Sequence, residues 1–324
     1  MSRVIVLGSY VQDHCWLTTQ LPAPGESRIG TFSTGAGGKG FNQAVAANRL
    51  GASTLFVGAV GRDALGDTAR AFALDEQLDC VWFDTELPTA ASSIVVDDQG
   101  RNQICVALGA NDALPSESAT AIAGQLRRGD LLVSQLETAL DPVQRSMDAA
   151  QRLGAITLLN PAPINPLVKG ELIASVDLLT PNETEFAFLL THLLQVPDPI
   201  DPITAADTDV HRWCRQLCSG TVAITLGGDG VFVSHPPDRL RGDQQDYYRV
   251  PAATVTPVDT TGAGDAFSGA LAAAIVSYPE ARFAAQVAFA CRAAGLSTER
   301  AGTAPSMAGV DDLATRFGEA ARRP

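Results

Sequence analysis

The sequence predicts an α/β protein, with a mostly parallel sheet covered by helices on both faces. Two observations carry this. Short apolar runs of strand length alternate along the chain with longer stretches of helical periodicity. Two segments, 10–36 and 91–107, interrupt that alternation with hairpin-like sequence.

Taken in order, Val-Ile-Val-Leu at 4–7 reads as a first buried strand, and residues 1–8 are too short for a secretory signal. Further strands are expected at 54–57, 131–133, 156–159, 177–179 and 222–225. Helices are expected at 42–50, 66–77, 115–127, 141–153, 183–193 and 208–218. Another follows residue 264, where Phe267, Ala270, Leu271, Ala274 and Ile275 recur at helical spacing. The 10–36 segment holds Pro22, Pro24 and Gly25 before a polar, strand-like stretch at 28–34. The 91–107 segment turns at Asp98 to Gly100. By themselves both read as surface hairpins. Residues 194–207, with three prolines and three aspartates, read as a loop outside the chemistry. The C-terminal residues 320–324 should fray. No internal repeat is visible.

The 324 residues allow one large domain or two smaller ones. With 46% hydrophobic and 18% charged residues, the chain should fold rather than stay disordered. A net charge of −13 argues against a general nucleic-acid surface, which needs a basic field. No run approaches a membrane span. Of six cysteines only Cys214 and Cys218 are close, and no second pair completes a zinc site. The expectation is scattered thiols in a reducing cytoplasm. The four histidines form no cluster.

Residues 259–267, Asp-Thr-Thr-Gly-Ala-Gly-Asp-Ala-Phe, are the most informative stretch. Gly262 and Gly264 let the backbone turn sharply into a helix. The first N–H groups of a helix lack internal partners and attract anions. Asp265 therefore stands as a base beside an anion hole made by Gly262, Ala263 and Gly264. Phosphoryl transfer needs that pairing: a hydroxyl loses a proton while charge moves on phosphoryl oxygens. The same residues also read as a plain helix start with an acidic first turn.

A second glycine cluster, Gly35-Ala-Gly-Gly-Lys-Gly40, feeds another helix that Gly51 should stop. Lys39 and Lys169 are the only lysines among 23 basic residues. A lysine among glycines suits a substrate oxygen or a phosphate; an exposed turn lysine is the plainer alternative.

These residues resemble the ribokinase-like (PfkB) carbohydrate kinases. Gly37-Gly38-Lys39-Gly40 with Asn42 is similar to that family's first signature, and Asp259 to Asp265 to its second. Thr180-Pro-Asn-Glu-Thr-Glu185 resembles its Asn-x-x-Glu motif. Asn160-Pro-Ala-Pro163 and Thr225-Leu-Gly-Gly-Asp-Gly230 fit in the expected order. The resemblance spans about residues 3 to 307. It implies a three-layer α/β/α fold over 1–324 as one kinase domain, with 10–36 and 91–107 forming a small β-sheet lid that often makes a dimer contact. It implies ATP-dependent phosphorylation of a ribose-like or other sugar hydroxyl. Asp13, Gly38, Lys39, Asn42 and Glu137 would bind the sugar. Thr225, Gly227 and Gly230 would line the nucleotide's path. Asn182 and Glu185 would order Mg²⁺ and phosphate. A K⁺ site would draw on Asp259, Thr261, Ser297, Arg300, Gly302 and Ser306.

Val11 departs from the pattern. Ribokinases usually carry an asparagine there that bonds the sugar, and valine neither donates nor accepts. Other sugars and nucleosides therefore stay open as acceptors, and a silent sugar-binding regulator on the same fold is a further alternative. Gly35 to Gly40 also matches the Gly-x-Gly-x-x-Gly of nicotinamide-dependent dehydrogenases, but it does not directly follow the first strand, which ends near Gly8.

Overall fold

The computed structural model describes residues 2–198 and 201–324; Met1 and residues 199–200, inside the 194–207 segment, lie outside the described residues. The strands run β1 (Val4–Leu7), β2 (Val11–Thr18), β3 (Thr31–Gly37), β4 (Thr54–Gly61), β5 (Asp79–Thr85), β6 (Ala91–Asp97), β7 (Asn102–Ala107), β8 (Leu131–Ser134), β9 (Ile156–Leu159), β10 (Leu178–Leu179), β11 (Thr221–Thr225), β12 (Val231–Ser234) and β13 (Tyr247–Val250). The helices are α1 (Lys39–Arg49), α2 (Ala64–Asp75), α3 (Glu117–Gln125), α4 (Leu140–Leu153), α5 (Gly170–Ser175), α6 (Glu183–Leu194), α7 (Asp207–Leu217), α8 (Ala263–Ser277), α9 (Phe283–Ser297) and α10 (Val310–Phe317).

The main sheet has the order β13-β12-β11-β10-β9-β8-β1-β4-β5. From β11 to β5 every neighbouring pair is parallel; β12 and β13 add an antiparallel edge. The continuous apolar run of β1 follows from burial on both faces. Val4 and Val6 enter one core with Phe41, Phe56, Phe267 and Leu271, while Ile5 and Leu7 enter the other with Leu132, Leu159 and Phe186. The first core lies under α1, α8 and α9, the second under α4, α6 and α7. Apart from Asp265 and Ser268 near its start, α8 is apolar on every side to Val276 and almost wholly buried, as a helix wedged between α1 and α9 must be.

A separate four-stranded sheet, β3-β2-β6-β7, is built from the two interrupting segments. The strand expected at 28–34 lies at Thr31–Gly37, because its pairing with β2 continues to Val11↔Gly37. The first glycine cluster therefore starts inside a strand rather than in a turn. That removes the dinucleotide-fold reading: Gly35 to Gly37 belong to the small sheet, not to a loop at the end of β1.

Helix ends match the expected ranges within about three residues, for local reasons. Asp63 caps α2 by accepting from Gly66 N–H. Gly51, at φ 85°, stops α1; Gly51 and Ala52 donate to the carbonyls of Asn48 and Ala47. The strand expected at 177–179 shrinks to Leu178–Leu179, because the Asp177 carboxylate accepts from the Thr157 N–H and hydroxyl. Strands β5, β12 and β13 escape sequence reading; β5 and β13 are sheet edges whose charged residues blur the alternation.

Candidate active site

Most of the residues singled out in the sequence converge where the parallel strands end. Ligands gather there in open α/β sheets. Gly262, in the left-handed region at φ 78°, turns the chain into α8. Asp265 is then the third helical residue, 5% exposed. The Ala263 N–H donates to the Thr260 carbonyl at 3.2 Å. The anion hole expected from three N–H groups therefore narrows to Gly262 and Gly264, whose N–H groups take no protein acceptor among the described residues.

The Asp265 carboxylate is held from both sides. Asn42 Nδ2 donates to Oδ2 and Gln43 Nε2 to Oδ1, each at 2.9 Å. Both donors come from α1, which starts at Lys39, three residues earlier than its apolar periodicity suggests. Gly38, at φ 92°, makes that start possible. Its lack of a side chain serves the protein: a Cβ there would lie 2.6 Å from Val11 N and 2.8 Å from Tyr10 Cα. The expected close approach of a sugar at Gly38 is thus a close approach of β2's own backbone.

Lys39 carries the charge at this point. Its N–H donates to Glu137 Oε2 at 2.9 Å, while its ammonium makes no hydrogen bond or ion pair among the described residues. Burial, the largest influence, works to lower its pKa. The carboxylates of Asp265, Glu137, Glu185 and Asp13 together outweigh it and raise the value. Glu137 follows β8 and also accepts from Ser9 Oγ at 2.6 Å. Burial raises its pKa despite the Lys39 charge. Asp13, on β2, joins the small sheet to the main body. Ser92 Oγ donates to Oδ1 at 2.6 Å and Thr303 Oγ1 to Oδ2 at 2.9 Å. Its pKa is raised, again chiefly by burial.

On the other side of α8 the Asn-x-x-Glu segment forms a capping box for α6. Asn182 Oδ1 accepts from Glu185 N–H at 2.7 Å, and Glu185 Oε2 accepts from Asn182 N–H at 2.9 Å. Burial raises the pKa of Glu185. A polar cavity of about 130 Å³ brings Lys39, Asp265, Gly262, Gly264, Asn182 and Glu185 to one space. It adjoins a larger, mostly apolar cavity of about 470 Å³ lined by Gly227, Gly230, Val255, Ala294 and Gly295, with Thr225 shared between the two. Gly230, at φ 89°, has no room for a side chain beside the Val250 carbonyl. The volume and lining suit a nucleotide base beside a phosphate seat.

The residues of the expected cation site lie in two loops that meet. Asp259 Oδ1 accepts from Thr261 N–H at 2.9 Å and Oδ2 from Gly302 N–H at 3.0 Å. The Ser306 hydroxyl donates to the Thr303 carbonyl at 2.8 Å, and the Ser297 carbonyl accepts from Arg300 N–H at 3.3 Å. The Arg300 side chain turns away to pair with Asp312. A donor set of backbone carbonyls and one carboxylate fits a hard cation.

Sequence reading missed Gln43, Gln135, Ser9, Ser92 and Thr303. The one local signal was a second amide directly after Asn42, on the buried stripe of α1. Val11 is buried on the side of β2 that also carries Asp13, and His14 lies on the opposite side, stacked on Phe32.

Comparison with known proteins gives the family and the fold. The family model described as "pfkB family carbohydrate kinase" matches residues 1–308. A ribokinase of Haemophilus influenzae is 34% identical over 305 residues, covering 93% of this chain and 94% of its own. A ribokinase structure from Giardia lamblia superposes with a TM-score of 0.84 at 24% identity, over 98% of this chain and all of that one, and supports the fold alone. An Arabidopsis thaliana ribokinase solved with ribose and ATP has a TM-score of 0.78 at 28% identity, covering 96% and 97% of the two chains.

Proposed function

The chain belongs to the pfkB family of carbohydrate kinases, and from that premise we propose that it phosphorylates a ribose-like sugar hydroxyl with ATP, as one catalytic domain, using Asp265 as base. The observation that carries this reading is the polar cavity, where an unpaired ammonium, a doubly held carboxylate and the open start of α8 face one another.

The acceptor hydroxyl gives its proton to Asp265 as its oxygen attacks the γ-phosphorus. The N–H groups of Gly262 and Gly264, with the positive end of α8, stabilise charge on the moving phosphoryl group. Lys39 adds a point charge beside it. Asp13, Glu137 and Asn42 orient the sugar, and Thr225, Gly227 and Gly230 bound the nucleotide. Glu185 and Asn182 would hold Mg²⁺, partly through water, and that ion would screen the nucleotide's phosphate charge. Asp259, with carbonyls of Thr261, Ser297, Arg300 and Gly302 and the Ser306 hydroxyl, would hold K⁺ next to the start of α8.

Val11 supports a second reading of the acceptor. A buried aliphatic side chain beside Asp13 leaves unmet any hydroxyl it faces, which favours a sugar or nucleoside other than ribose. The small sheet supports a lid-to-lid homodimer, because Leu17, Phe32 and Ile104 are more than half exposed on it. The six free cysteines support a reducing, cytoplasmic setting.

The test is an ADP-release assay with MgATP and K⁺ across pentoses, hexoses, sugar phosphates and nucleosides. Turnover on one acceptor is expected, falling roughly 10²–10⁴-fold in Asp265→Asn. Unchanged turnover in that variant would sink the assignment of the base.

A further inference from the structure

We propose that Gln43 is the positioning residue of Asp265, and that Asn160 and Gln135 together hold the orientation of Gln43. The inference rests on the kinase reading above for the role of Asp265.

Gln43 is fully buried in α1, on the face packed against α8. Its Nε2 donates to Asp265 Oδ1 at 2.9 Å and to Asn160 Oδ1 at 3.1 Å. Asn42 holds the other carboxylate oxygen. Consecutive residues on a helix point about 100° apart, so the two amides reach the carboxylate from different sides and set its plane. A base must meet its proton at a defined atom, so that plane decides whether an attacking hydroxyl finds a lone pair.

An amide can serve in this way only if its nitrogen, not its oxygen, faces the carboxylate. Asn160 settles the choice from one side, because its Nδ2 donates to the Thr180 carbonyl and leaves its Oδ1 to accept from Gln43. Gln135 meets the other end of the amide, where its Nε2 donates to Gln43 Oε1 at 2.6 Å. Turning the Gln43 amide over would set donor against donor at Gln135 and oxygen against carboxylate at Asp265. Gln135 is itself fully buried, and its Oε1 has no hydrogen-bond partner. That oxygen occupies the space a Gly8 side chain would need. A buried, half-satisfied amide is less favourable than an apolar side chain of the same shape. Stability alone does not account for it; orientation of Gln43 does. Gly269 completes the device, because a side chain there would collide with the Gln43 carbonyl and hold α8 away from α1.

The test is a double-mutant cycle. Gln43→Met keeps the length and removes the amide. We expect kcat to fall roughly 10- to 100-fold, as for loss of one hydrogen bond to a charged group. KM for nucleotide and sugar should stay within about twofold, because the loss falls on the chemical step. In an Asp265→Ala background, Gln43→Met should lower the residual kcat no further. Equal loss in both backgrounds would mean a structural role and overturn the inference, leaving the kinase reading intact. Wild-type turnover in Asp265→Ala would instead overturn the kinase reading, and this inference with it. Should Gln43→Met not fold, Gln135→Met answers the same question: it should lower kcat only when Asp265 is present, and an effect independent of Asp265 again overturns the proposal.

Discussion

Two helix starts in this molecule use the same device and are built for opposite ends. Both α1 and α8 follow a glycine at positive φ, 92° at Gly38 and 78° at Gly262, and neither glycine offers a side-chain cap. Around α1 the missing side chains are filled by protein. A Cβ at Gly40 would lie 2.6 Å from Gly8 Cα, one at Gly37 would strike Asp13, and one at Gly38 would strike β2. Around α8 they are not: a Cβ at Gly262 would come no closer than 3.3 Å to any atom, Met307 Cε, and nothing lies within 4 Å of one at Gly264. The first turn is glycine-rich so that strand and helix can touch. The second is glycine-rich so that something else can approach. Sequence alone makes the two look alike.

The comparison breaks most sharply by exchange. Gly40→Ala forces backbone apart and should destabilise the fold by about 3 kcal/mol. Gly264→Ala should leave the melting temperature unchanged or slightly higher, since alanine is the better helix residue, yet lower turnover roughly 10²-fold by displacing the transferred group. Calorimetry and steady-state kinetics on both variants decide it; a large loss of stability in Gly264→Ala would erase the distinction.

Lys39→Met sharpens the α1 side. Its raised pKa means that the folded state holds the proton more tightly. Its contribution is therefore complete below the unfolded lysine value and is lost as pH rises through the folded one. At neutral pH the variant should melt lower, and kcat/KM should fall roughly 10- to 100-fold. Unchanged melting with unchanged kinetics would make Lys39 a bystander.

The smallest effect concerns the buried carboxylates. Asp13, Glu137 and Glu185 have raised pKa values, so the folded state binds their protons more tightly than the unfolded chain does. Stability should fall as pH rises from about 4 through the raised values. Glu185→Gln can keep both hydrogen bonds of the capping box and should flatten part of that slope. Thermal melts over this range test it, and an unaltered slope would place the cost on the other two groups.

Much of the architecture was legible because it is periodic. Runs such as Val4 to Leu7 announce a strand buried on both faces, and the helical stretches announce their own length. Edge strands β5 and β13 were not, because they are mostly half-buried and carry Asp79, Asp84 and Arg249 among their apolar residues. In the site, Asp265 and Lys39 stood out by residue type and glycine context. Gln43 and Gln135 did not, since a lone amide in an apolar helix or at a strand end has no local signature.

The alternation of strands and helices, the two glycine turns and the charges they present can all be read along the chain. Those depend on neighbours a few residues away. Packing in three dimensions sets which turn stays open, puts Gly35 to Gly37 in a strand of the small sheet, and holds Asp265 by an amide 222 residues distant, itself bonded to one 92 residues further along from it. Hydrogen bonds and steric gaps act through space, and periodicity along a chain carries no record of which distant backbone will come to fill them.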